Sequence, residues 1–152
     1  MDNKKIIEQV KKLRDELGLS IMDIKEAVVE AKGDEAKAKE ILREKGFKKA
    51  EKKATRETKE GRVFVYKHTT EKMAVMMELL CETDFVAKGD DYQNLGKDLI
   101  LHIAAMNPKD NKELLAQEFV KDTTKTIDEM VKSVVAKLGE NIQIGKFVRY
   151  EI

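Results

Sequence analysis

The chain has no tryptophan, one proline, one cysteine and two histidines in 152 residues. Each shortage removes a class of answers. One cysteine excludes an internal disulfide and a cysteine-based zinc cluster. The histidines, His68 and His102, lie 34 residues apart and lack metal-ligand spacing. No GxGxxG loop, no Walker-type GK[ST] and no nucleophile elbow occurs. Cys81 with His68 or His102 is the one pairing that resembles a nucleophile and base. Yet Cys81 ends an apolar run, where a buried structural cysteine is the ordinary expectation. His102 sits beside Leu99 and Ile103, as a core-edge histidine would. No catalytic residue, metal or cofactor is expected. Formal net charge is only +1, so a global field for nucleic acid is missing. No apolar run approaches the roughly 20 residues of a membrane-spanning helix, and the polar start MDNKKIIEQ lacks a signal-peptide core. A cytoplasmic protein is expected.

What is present is a highly charged surface (39% of residues) over a modest apolar fraction of 41%. That suits one compact domain with a small satellite. Residues 1–46 read as a three-helix module. Ile6, Ile7, Val10, Leu13 and Leu17 form one helical face, closed by Gly18. Ser20 with Asp23 resembles a capping box for a second helix carrying Ile24, Ala27, Val28 and Ala31 inward. Gly33-Asp34 repeats the stop and cap. A third helix turns Ala38, Ile41 and Leu42 inward and is expected to stop at Gly46. Residues 43–59 carry eight basic side chains against three acidic, and 47–60 read as a basic, solvated, helical linker. With Phe47 as its one aromatic residue for base stacking, the stretch makes an RNA contact the weaker reading.

Residues 61–152 read as an α+β core domain. Val63 and Val65 alternate with Phe64 and Tyr66 in a strand that pairs with Met73 to Cys81 as an antiparallel hairpin. Tyr92 to Met106 is an amphipathic helix ending at Asn107-Pro108. The stretch to Thr124 reads as irregular or weakly helical. Thr126 and Glu129 form a second capping box, opening a helix that Gly139 ends, and Asn141 to Ile152 is a third strand with imperfect alternation near Gly145. The expected architecture is a small three-stranded antiparallel sheet with helices packed on it. Two places carry apolar side chains that a core does not readily absorb. Ile21 and Met22 stand at a helix start, and Phe85 and Val86 follow Asp84 beyond the second strand. For Phe85 the local pattern favours a core aromatic opening a helix that Asp84 caps.

The residues Leu13-Arg14-Asp15-Glu16-Leu17-Gly18-Leu19-Ser20-Ile21-Met22-Asp23-Ile24-Lys25-Glu26-Ala27 resemble the N-terminal signature of the bacterial elongation factor Ts family. Cys81-Glu82-Thr83-Asp84-Phe85-Val86-Ala87 is similar to the family's most characteristic stretch, and Leu138-Gly139-Glu140-Asn141-Ile142 to a third. The resemblance implies a guanine-nucleotide exchange factor for the GTPase elongation factor Tu, with a ubiquitin-associated-like N-terminal module. It implies that Ile21 and Met22, assisted by Arg14, dock on the GTPase. It also implies that Thr83, Asp84, Phe85 and Val86 intrude near the GTPase's magnesium site, which reverses the local reading of Phe85. The chain departs from the family at Leu17 and at Gly18 to Met22. Gly145-Lys146 stands where a basic pair is common. A long, mostly helical stretch after Asn107-Pro108 is missing, so this resembles a minimal form. Some compact members pair two chains through their sheets, which leaves a homodimer open. The competing reading is a protein-binding adaptor without exchange activity, favoured if Asp84 and Phe85 are buried within the chain.

Overall fold

The structure is a computed structural model that describes residues 2–152. Its first three helices are α1 (Asn3–Leu17), α2 (Ile21–Glu30) and α3 (Glu35–Lys53). Asp2 caps α1, and Gly18 closes it in the left-handed conformation at φ 65°. Leu13, Ile24, Ala27, Val28, Ala31, Ala38 and Leu42 form the module's own core, with Ile6, Val10, Leu17 and Leu19 against it. Two expectations need correction here. Ile7 is 67% exposed rather than inward; its neighbours four and seven residues on are Lys11 and Arg14, so it belongs to the polar face. Ser20 stands at the N-cap of α2 without a side-chain bond to the helix, and Asp23 pairs with Lys49 at 2.6 Å instead of closing a capping box.

Helix α3 does not stop at Gly46. It runs seven residues further, to Lys53, and Ala38, Leu42, Gly46 and Ala50 line its buried side at a spacing of four. Gly46 serves close approach rather than termination: a Cβ there would lie 3.1 Å from the Ala136 Cβ. Ala50 then reaches the core of the second half of the chain. One continuous helix, about 28 Å long at 1.5 Å per residue, thus carries both cores.

The second half contains β1 (Glu60–Lys67), β2 (Met73–Cys81), α4 (Asp84–Ala87), α5 (Asp90–Met106), α6 (Asn111–Ala116), β3 (Glu118–Phe119), β4 (Asp122–Thr126), α7 (Ile127–Leu138) and β5 (Gln143–Glu151). The main sheet has the order β1-β2-β5, antiparallel throughout. Its inner face sets Phe64, Tyr66, Val75, Met77, Leu79 and Phe147 against Tyr92, Leu95, Leu99 and Ile103 of α5 and Ile127, Val131 and Val135 of α7. Gly96 lets α5 lie flat on β1, since a Cβ there would come 2.1 Å from the Phe64 ring. The capping box at Thr126 and Glu129 is present. The irregular alternation near Gly145 is a bulge that shifts the β2–β5 register between Met77 and Leu79. The stretch expected to be irregular contains the small α6 and the β3–β4 hairpin, whose Phe119 is buried. The architecture is α+β, as the alternation and capping patterns indicate.

Candidate partner-binding surfaces

Strand β2 ends in the buried Cys81, and within three residues the chain turns into the single helical turn α4. The N-cap of that turn is Thr83, not Asp84: its Oγ1 accepts the Val86 N–H at 3.3 Å. Asp84 is held by two cations, Arg62 Nη2 at 2.6 Å and Lys88 Nζ at 2.6 Å. The Lys88 ammonium and the Arg62 guanidinium keep its carboxyl below the ordinary aspartate range. Both bonds leave the side chain half exposed, with lone pairs free on each oxygen.

Phe85 is 87% exposed, whereas Val86 beside it is buried in the core. A single helical turn has no stability of its own, so the burial of Val86 and Ala87 beneath it anchors the tip. The local expectation of a core phenylalanine is therefore corrected: with α4 packed on β1, β2 and α5 through Val86 and Ala87, no core position remains for Phe85. A large aromatic held out in water costs solvation free energy without return in the free chain.

The second surface lies on the module. Ile21 and Met22, 59% and 72% exposed, open α2. Ile21 and Arg14 line an apolar groove of about 350 Å³ with Ile6, Ile7, Val10, Lys11 and Lys25. Met22 lies along α2 from Val29, which is also exposed. The Arg14 guanidinium donates to the Gly18 carbonyl at 3.2 Å and to the Leu19 carbonyl, bracing the α1–α2 turn from which Ile21 projects. Sequence reasoning missed Ile7, and its polar helical neighbours were the available signal. The structure joins Arg14, Ile21 and Met22 around one helix start and groups Thr83 to Val86 on a different element.

A fixed frame relates the two patches. Besides the Gly46–Ala136 approach, Glu51 of α3 faces Lys132 of α7 at 3.4 Å and Arg43 faces Glu129 at 3.8 Å. A third apolar surface is the outer face of the sheet, where the register aligns Val65, Met76 and Val148 across all three strands, with Val63 and Tyr150 nearby. The cysteine and histidines form no common site. Burial pushes the Cys81 thiol up, and it donates to the Thr83 carbonyl. His68 lies at the opposite end of the β1–β2 hairpin. His102 is fully buried among its own partners, Gln117 and the Val120 N–H. No described helix is long and apolar enough to cross a membrane.

Comparison with known proteins gives the family of the chain. The family model described as elongation factor TS matches residues 82–152, beginning beside the tip. A protein from Aquifex aeolicus named elongation factor Ts is 45% identical over 150 residues, covering 95% of this chain and 52% of its own length. This chain thus spans about half the length of that relative. A protein of the same name from Fervidobacterium nodosum is 40% identical, covering 95% of this chain and 96% of its own. One from Herpetosiphon aurantiacus is 37% identical with 96% coverage of each. The Fervidobacterium match extends over 190 aligned positions, more than the 152 residues of this chain, so that relative carries extra residues inside the matched region. With such identity across almost the full length of two relatives, the chain belongs to the elongation factor Ts family.

Proposed function

We propose that this translation elongation factor is a cytoplasmic guanine-nucleotide exchange factor for elongation factor Tu, without a catalytic site of its own. The observation that carries the reading is Phe85: 87% exposed on a tip braced from below. In a GTPase, Mg²⁺ bridges nucleotide phosphates and protein ligands, offsetting charge that otherwise favours release. An exchange factor need not touch the nucleotide. It needs only to bind the nucleotide-free conformation more tightly than the loaded one, and linkage then makes factor and nucleotide weaken each other equally. Phe85 fills the gap opened when elements of the GTPase near the magnesium site move. Asp84 offers its outward lone pairs to polar groups there, Thr83 holds the turn, and Val86 roots it. Ile21 and Met22, with Arg14 bracing their turn, dock the module on the same GTPase. Since α3 holds both patches on one frame, docking by one raises the effective concentration of the other. The adaptor alternative is favoured if Asp84 and Phe85 are buried within the chain, and the exposure of Phe85 argues against it.

The test is release of fluorescent GDP from elongation factor Tu at fixed magnesium, with and without this chain. Acceleration that saturates with factor concentration supports the reading; an unchanged release rate overturns it. The outer sheet face supports a second proposal, a homodimer through the sheets. The Val65–Met76–Val148 row is apolar on every strand, which suits a second copy of the same face.

A further inference from the structure

The neck of the tip is closed by two carboxylates in a reciprocal arrangement. The Thr83 N–H donates to Glu140 Oε1 at 3.0 Å and the Thr83 hydroxyl to Glu140 Oε2 at 2.6 Å. In the opposite direction the Asn141 N–H donates to Glu82 Oε1 at 2.8 Å. The Asn141 amide then donates to the Arg56 carbonyl at 2.7 Å, tying in the segment that follows α3. This pairing continues the sheet. Leu79 faces Ile144 and Leu80 faces Gln143 in the β2–β5 ladder. The same register, extended past the strand ends, sets Glu82 opposite Asn141 and Thr83 opposite Glu140. In a ladder, opposed residues exchange N–H and C=O groups; here side-chain carboxylates stand in for the carbonyls.

The consequence falls on Thr83. Its hydroxyl has one proton and two lone pairs. With Glu140 taking the proton, the lone pairs remain for the Val86 N–H, the bond that opens α4. Glu140 thereby selects the Thr83 rotamer and, through it, the direction in which Phe85 projects two residues on. We propose that Glu140 is a positioning residue, gripping both polar hydrogens of Thr83 so that the Asp84–Phe85 tip is set in its docking geometry before a partner arrives. The functional part rests on the exchange-factor reading above. A tip ordered in advance avoids an ordering cost on binding, so loss of the grip weakens docking while leaving the docked complex competent.

The experiment compares the full-length chain with Glu140→Gln, which keeps one acceptor oxygen where two are needed, and with Thr83→Val, which removes the hydroxyl from the other side. Amide hydrogen exchange reports the tip without reference to activity. Exchange at Val86 and Ala87 is expected to quicken by roughly tenfold, the worth of one hydrogen bond to a charged group, while Leu99 and Ile103 in α5 stay unchanged. In stimulated GDP release the KM for the Glu140→Gln factor rises several-fold and its kcat stays near wild type, the pattern of a uniform binding loss. The double variant behaves like Thr83→Val alone, because that change already removes the hydroxyl through which Glu140 acts. Unchanged exchange at Val86 and Ala87 overturns the proposal, as does equal quickening in α5, which marks a general loss of stability. Quickened exchange at the tip with unchanged KM overturns the docking role. If the wild-type chain fails to stimulate release, the exchange-factor reading falls, and amide exchange alone decides whether Glu140 positions the tip.

Discussion

Truncating Phe85 to alanine separates folding from function more cleanly than any other change in this chain. In the free protein the ring is 87% exposed and takes no part in either core. Its removal therefore leaves stability within about 0.5 kcal/mol, or about 1–2 °C in Tm for a chain of this size. Alanine also has the higher helix propensity, which favours α4 slightly. In the proposed complex with elongation factor Tu the accounting differs. Full burial of a phenylalanine side chain is worth about 1.5–3 kcal/mol, and truncating a central aromatic anchor commonly costs about 2 kcal/mol or more. If that energy is realised in the nucleotide-free complex, Phe85→Ala slows stimulated GDP release by roughly 30-fold at saturating factor. Saturation matters, because losing a ring that merely adds affinity raises KM and leaves kcat intact. Stopped-flow release of fluorescent GDP over a range of factor concentrations separates the two. A folded Phe85→Ala protein with wild-type kcat refutes the wedge. A Tm lowered by more than several degrees refutes the premise that Phe85 serves no internal contact.

Two further outcomes follow from other parts of the molecule. His102 accepts the Val120 N–H at Nδ1 and pairs through Nε2 with Gln117 Oε1, an arrangement that requires the neutral ring. Burial pushes its pKa down, so the unfolded chain binds the extra proton first. Stability is full above the unfolded value of about 6.5 and falls as pH drops below it towards the lower folded value. Urea unfolding across pH 7.5 to 5.5 shows this loss in the wild type, and a His102→Gln variant shows a flatter profile; equal slopes refute it. For the sheet, Met76→Glu places a charge at the centre of the outer face without touching the inner core. Analytical ultracentrifugation is expected to give a dimer for the wild type and a monomer for Met76→Glu. A wild-type monomer at high micromolar concentration refutes sheet pairing.

Most of the fold was legible because its signals are local. The stripes of α1 and α2, the left-handed Gly18 and Gly139, and the Thr126–Glu129 box each depend on residues within one turn of each other. Errors arose where a distant partner decided. Gly46 read as a stop because glycine disfavours helix interiors, whereas its purpose is contact with Ala136, ninety positions along the chain. The spacing of Ala38, Leu42, Gly46 and Ala50 was visible beforehand but had no partner to explain it. Asp23 fitted a capping box until Lys49 claimed it. Val120-Lys121 lacks the glycine or asparagine that marks tight turns, so the β3–β4 hairpin stayed hidden. For the tip, local pattern placed Phe85 inside, and the family resemblance reversed that weighting while leaving its exposure in the free chain open. The pattern failed because Val86 and Ala87, not Phe85, fill the space between α4 and the sheet.

The bulge at Gly145 links the sheet to the tip in a way that neither segment reveals alone. Before it, Met77 faces Phe147; after it, Leu79 faces Ile144, so β5 spends one more residue than β2 over the same distance. Were the first register continued unshifted, Thr83 would stand opposite Asn141, and Glu140 opposite Asp84. A glutamate would then face an aspartate, and the Thr83 hydroxyl would lose its carboxylate acceptor. The single extra residue moves Glu140 back into line with Thr83. That residue sits where space is tight: a Cβ on Gly145 would lie 2.9 Å from the Cβ of Glu78. Glycine at this point meets a steric demand in mid-strand, and the register it permits is the one in which the Thr83–Glu140 bonds form. With Glu140 positioning the tip as proposed, the direction of Phe85 depends on a backbone irregularity further along the ladder, carried there by strand pairing rather than by any contact with the tip.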